Sequence, residues 1–116
     1  MVAHPDPRDV VIDRVFRALA DATRRDIVAR VLGGEAASVS ELAERYDMSF
    51  AAVQKHVAVL EAAGLVTKAA KGRERIVRGN PQRIRQARDL LARLEGLWRE
   101  RFGQIDALFR DSPDPE

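Results

Sequence analysis

Steps of three and four residues from Ile84 pass through Ala87, Leu91, Leu94, Trp98, Arg101, Ile105 and Leu108, and only Arg101 in that series is not apolar. Such spacing sets one face of an α-helix. Leu90, Leu97, Phe102 and Phe109 widen the stripe. Pro81 suits the first helical turn and Asn80 a cap, so the spacing predicts a helix over 81–109. At about 1.5 Å per residue this helix is roughly 43 Å long. A small domain cannot cover so long an apolar face, and a second chain is implied. Gly96 and Gly103 interrupt the pattern, permitting close helix approach or marking a kink.

The rest of the chain is short enough to be one domain. It has 116 residues, 46% hydrophobic and 33% charged, the balance of a soluble globular protein. There is no cysteine, which excludes a disulfide scaffold, a thiolate metal site and a cysteine nucleophile. No apolar run reaches the roughly 18 residues of a membrane span. The start, MVAHPDPRD, is polar and not that of a signal peptide, so the expected location is cytoplasmic. Proline-rich polar ends predict flexible tails over residues 1–9 and 111–116, flanking a domain over 10–110.

Charge is unevenly spread. Met1–Glu44 carries 6 arginines against 8 acids, Arg45–Arg85 carries 9 Lys and Arg against 3 acids, and Gln86–Glu116 carries 5 arginines against 7 acids. A basic island between two acidic thirds points to a polyanionic partner.

Helical spacing fills the first half. Ile12, Val15, Phe16 and Leu19 share one face of a helix starting near Arg8. Asp21 is positioned to cap a second helix carrying Ile27, Val28, Val31 and Leu32, ended by Gly33-Gly34. Ser40 is the expected cap of a third helix, Glu41 to about Tyr46. Asp47-Met48-Ser49 then forms a tight turn, for which Asp47 tolerates left-handed backbone. Ser49 caps a fourth helix over 50–63, with Val53, Val57 and Leu60 inward and Gln54, Lys55 and Ala58 outward. Gly64 stops it. The period then drops to two: Leu65–Ala69 and Arg75–Arg78 flank the turn Lys71-Gly72, predicting a two-stranded hairpin over 65–78. The fold class is thus mostly α with a small β-hairpin: a helix-turn-helix followed by a basic wing and a long C-terminal helix.

That layout suits double-stranded DNA. A helix fits the major groove and the side chains near its start reach base edges. Ser49 and the free amides beside it can hold phosphate. Ala51 sits at the exposed helix start, Gln54 suits adenine, and Lys55 suits guanine or phosphate. Phe50 either touches a thymine methyl or packs on the preceding helix. His56 either contacts DNA or is half-buried and hydrogen-bonded within the domain. Lys68, Lys71, Arg73 and Arg75, with Arg78, can lie along a phosphate backbone. Arg24 and Arg25 are expected to make structural ion pairs. The carboxylates alternate with arginines as surface pairs, no phosphate loop or nucleophile elbow is present, and no enzymatic role is expected.

The stretches FRALADATRRDIV, VSELAERYDMSFAAVQKHVAVLEAAGLV and KGRERIVRGN resemble the ArsR-type winged helix-turn-helix transcriptional regulators, over roughly Val11–Arg110. The resemblance implies a homodimer joined through the first and last helices, on a partly palindromic operator, repressing by occluding a promoter. It places Ile12, Val15, Phe16, Leu90, Leu91, Leu94, Leu97, Trp98, Phe102 and Ile105 in the dimer interface. Trp98 is alternatively one wall of a pocket for a small organic ligand that gates a repressor. Many relatives bind metal, but Ala43 and Arg45 stand where one family site has cysteines, and no histidine follows His56 for the other. No metal or cofactor is expected. A different class, a winged-helix protein-interaction module without DNA binding, shares the same outline.

Overall fold

In the computed structural model, which describes residues 6–111, five helices and a three-stranded sheet follow the order α1 (Pro7–Leu19), α2 (Ala22–Leu32), β1 (Ala37–Ser38), α3 (Val39–Glu44), α4 (Phe50–Ala62), β2 (Val66–Lys71), β3 (Glu74–Gly79) and α5 (Pro81–Asp111). Among the described residues no helix is long and apolar enough to cross a membrane. Asp6 caps α1 by accepting from the Arg8 amide, so the helix begins inside the stretch expected as a tail. Asp21 caps α2 through the Arg24 amide at 3.1 Å, as its position suggested.

The cap of α3 is Ser38 rather than Ser40. Its hydroxyl accepts from the Glu41 amide at 3.0 Å while the Glu41 carboxylate accepts from the Ser38 amide at 3.2 Å, a reciprocal capping box. Ala37 and Ser38 also form β1, which pairs antiparallel with β3 through Ala37↔Val77 and Ser38↔Ile76. The hairpin is thus part of a sheet of order β1-β3-β2, with Val77 fully buried on its central strand. No non-glycine residue among the described residues takes a positive φ, so the turn before α4 closes without left-handed backbone at Asp47.

One core joins these elements. Val15, Ile27, Leu42, Val53, Val57, Leu60, Leu65 and Val77 have no exposed surface, and Ala87 is the last buried residue of α5. The arginines following α1 close its C-terminus. Arg24 donates to the Ala18 and Arg17 carbonyls at 2.6 and 3.1 Å, and Arg25 to the Leu19 carbonyl at 2.7 Å. These satisfy carbonyls that the helix itself leaves without partners. Arg24 also lies 4.0 Å from Asp21, whereas the bond of Arg25 is to backbone.

α5 runs unbroken through Gly96 and Gly103. At 100° per residue both glycines lie opposite the apolar stripe, and a methyl group at either would meet open space. Val15, expected between subunits, is instead wholly buried in its own domain, because α1 turns that edge of its stripe inward onto the core.

A tie across the helix-turn-helix fixes the turn. The Tyr46 hydroxyl donates to Asp26 Oδ2 at 2.6 Å, and the same oxygen accepts from Arg30 Nε at 2.9 Å. Tyr46 and Arg30 hold the Asp26 carboxyl below its usual range by these bonds. Burial, with Asp26 beside it, pushes the Tyr46 phenol up to about 12. A raised phenol favours the neutral folded form, so its contribution to stability is present below pH 10 and disappears as pH rises through about 12. Tyr46 is the single tyrosine, so phenolate absorbance reads it alone. The expected result is ionisation near 12 in the folded protein, and a lower midpoint in Asp26→Asn.

Gly64 (φ +77°) and Gly72 (φ +64°) carry left-handed backbone. A methyl at Gly64 would also stand 2.6 Å from Arg83 Nε, whereas one at Gly72 would meet nothing. Chemical denaturation at one fixed protein concentration should show Gly64→Ala costing about 2 kcal/mol and Gly72→Ala about 1 kcal/mol.

Candidate nucleic-acid interface

The orientation of α4 follows from its stripe. With Val53, Val57 and Leu60 fully buried, the opposite arc carries Ala51, Gln54, Lys55 and Ala58, all exposed. The helix start is open. Ser49 is exposed and its hydroxyl accepts from the Ala52 amide at 3.1 Å. This fixes the first turn and leaves the earlier amides of α4 outside its helical ladder. Phe50 does not pack into the core; its ring is 49% exposed beside that helix end.

His56 lies on the flank between these two faces and is half-buried. Its Nδ1 is 3.3 Å from Arg24 Nη1. A guanidinium only donates, so Nδ1 is the acceptor and the neutral ring carries its proton on Nε2. Arg24 is thus shared between the end of α1 and the side of α4. The Asp21 carboxyl is held below its usual range, first by the Arg24 amide and further by the positive charge of His56 and Arg24.

The wing continues directly from α4 through Gly64. Its register pairs Thr67 with Arg78, Lys68 with Val77, Ala70 with Arg75 and Lys71 with Glu74. Lys71, Arg73, Arg75 and Arg78 are exposed. Lys68 differs. It shares a strand face with buried Val66, its side chain is only 14% exposed, and its ammonium lies 3.5 Å from the Glu61 carboxylate of α4. The cation expected on the outer flank therefore fastens the wing to α4. Strand parity from Val66 carries that signal in the sequence.

α5 leaves this body with its stripe uncovered. Leu91, Leu94, Leu97, Trp98, Phe102 and Leu108 are exposed, as is Phe16 on α1. Ile12 and Leu90 are half-buried, and both line a groove of about 440 Å³ between α1 and the base of α5. The side chain of Ile105 lies outside the described residues. Trp98 stacks edge-on against Phe102, with ring centroids 4.3 Å apart, and does not line the groove. Among the described residues no three metal-capable side chains are grouped. Ala43 packs against the core and Arg45 pairs with Glu35 at 3.6 Å.

Comparison with known proteins agrees with this arrangement. Residues 19–69 match the model of a helix-turn-helix domain family. The chain is 41% identical over 71 residues to the uncharacterised HTH-type transcriptional regulator YuzN of Bacillus subtilis, a match covering 56% of this chain and 77% of that protein. It is 44% identical over 69 residues to the HTH-type transcriptional regulator Rv2034 of Mycobacterium tuberculosis, covering 60% of this chain and 64% of that one. Among solved structures, an ArsR-like transcriptional regulator from Rhodococcus sp. RHA1 superposes with a TM-score of 0.74 at 31% identity, over 85% of this chain and 92% of that one. The outward face of α4, the basic wing and these likenesses converge: the chain belongs to the ArsR-type winged helix-turn-helix family of DNA-binding transcriptional regulators.

Proposed function

We propose that the protein acts in the cytoplasm as a homodimeric repressor that occludes a promoter, its own included, by binding a partly palindromic operator. The observation that carries this reading is the unpartnered outer arc of α4, held outward by a filled inner stripe and followed at once by a basic wing. Gln54 and Lys55 read base edges in the major groove, with Ala51 and Phe50 against thymine methyls. Ser49 and the first amides of α4 hold a phosphate at the positive end of the helix. Lys71, Arg73, Arg75 and Arg78 take backbone phosphates; Lys68, engaged with Glu61, braces the wing instead. His56, tied to Arg24, offers its Nε2 proton to a phosphate at the edge of the reading face.

The dimer follows from the uncovered stripe. Leu97 and Trp98 are 63% and 62% exposed on a helix whose last buried residue is Ala87. Large contiguous apolar surfaces of this kind mark interaction sites. Two subunits present two reading helices, which match half-sites about 34 Å apart, one turn of DNA.

The test is fluorescence anisotropy with DNA from upstream of the gene. Replacing Lys55, Arg73 and Arg75 together by Ala should remove specific binding while sedimentation still reports a dimer. A lost base contact costs about 1–3 kcal/mol, and each lost phosphate contact lowers the salt slope by about 0.9. Unchanged affinity in the triple variant would contradict the reading and favour a protein-interaction module.

A further inference from the structure

The charge along α5 is divided. Residues 81–94 hold four arginines against one aspartate, and residues 95–111 hold four acids against three arginines. The basic half is the one that borders the groove against α1. The floor there is Val11, Ile12 and Leu90, and Arg8, Arg83 and Arg93 stand around it with Asp89 as the only acid of the lining. Arg83 Nε is buried and has no hydrogen-bond partner among the described residues.

Two charged residues of α5 are left over. Glu95 pairs with Arg99 and Arg88 with Asp89 within the helix, whereas Arg93 and Glu100 are exposed and make no ion pair among the described residues. Seven residues separate them, two helical turns, so both stand on the same edge of the apolar stripe.

We propose that the groove between α1 and α5 seats the distal half of α5 from a second copy of the chain, running antiparallel, with Arg93 against Glu100 of the partner subunit. This deepens the homodimer reading above and rests on it. In an antiparallel pair, residues equidistant from the two-fold axis meet. An axis between Gly96 and Leu97 brings Arg93 to the partner's Glu100 twice, once on each side. It also sets Leu91 beside Phe102 of the partner subunit, so exposed apolar surface is covered on both chains. The acidic distal half of each helix then lies over the arginine-ringed groove of the other. A parallel pair would instead lay one basic half on another and leave both grooves open. Opposite charges on facing edges choose orientation in paired helices, as like charges exclude the alternative.

The chain contains no cysteine, so introduced thiols report orientation without background. Leu91→Cys and Phe102→Cys chains, co-expressed and mildly oxidised, should give a covalent heterodimer, while neither variant alone cross-links. In the antiparallel pair each position lies about 16 Å along the axis from its own copy at about 1.5 Å per residue, beyond the roughly 7 Å that a disulfide spans. Cross-linking of either variant with itself, or none in the mixture, would overturn the proposal. Charge exchange at these exposed positions leaves the core untouched. Arg93→Glu or Glu100→Arg alone should weaken the dimer about tenfold, and the two changes in one chain should restore it. A double variant as weak as the worse single overturns this register. A wild-type chain that sediments as a monomer at micromolar concentration would remove the homodimer reading itself; a dimer with the wrong cross-linking pattern removes only the antiparallel seat.

Discussion

Val53, Val57 and Leu60 leave α4 one way to face. Burying each such side chain is worth about 1.5–3 kcal/mol. Turning the helix by half a revolution would give that up and press Gln54 and Lys55 into an interior without partners, a further penalty. The DNA-facing surface is therefore chosen by what the core must hold. Supporting contacts fix its pitch. Arg24 spans the end of α1 and His56, Tyr46 reaches Asp26, and Lys68 reaches Glu61. Each joins α4, or the turn before it, to a neighbour that does not touch DNA in the reading given above.

The same economy leaves α5 unfinished. Its packing onto the core ends at Ala87, with Leu90 half-covered, yet the helix continues to Asp111. The apolar stripe therefore continues past the domain that made it. A protein whose reading helix is fixed by its own core and whose last helix is completed by a second copy couples two functions through one element. The spacing between reading helices depends on how α5 pairs, and binding to two half-sites depends on that spacing.

Much of this was legible in the sequence because it rests on local chemistry. Asp21 and Ser49 cap where they were expected, Gly64 and Gly72 take the positive φ that the stop and the turn demand, and the inward stripe of α4 follows from spacing alone. Where the reading missed, the signal was present but weaker than its competitor. Ser38 has glutamate three residues on and Ser40 has alanine, so the reciprocal cap favours Ser38. Lys68 stands two residues from buried Val66, and strand parity turns it inward. Val15 and Phe16 are adjacent on α1, and only the packed fold decides that Val15 enters the core while Phe16 stays out. β1 is two residues long and has no pattern to read, and the Arg24–His56 contact joins residues 32 apart in the chain.

The central claim is that the outer arc of α4 and the wing grip duplex DNA through base edges and phosphates together. Affinity for the DNA upstream of the gene, measured across a salt series beside an unrelated duplex, tests it most directly. Tight binding to the upstream fragment is expected, with log affinity falling linearly with log salt concentration and a slope that counts the neutralised phosphates. Binding that ignores salt, or no binding to either duplex at low ionic strength, would contradict it.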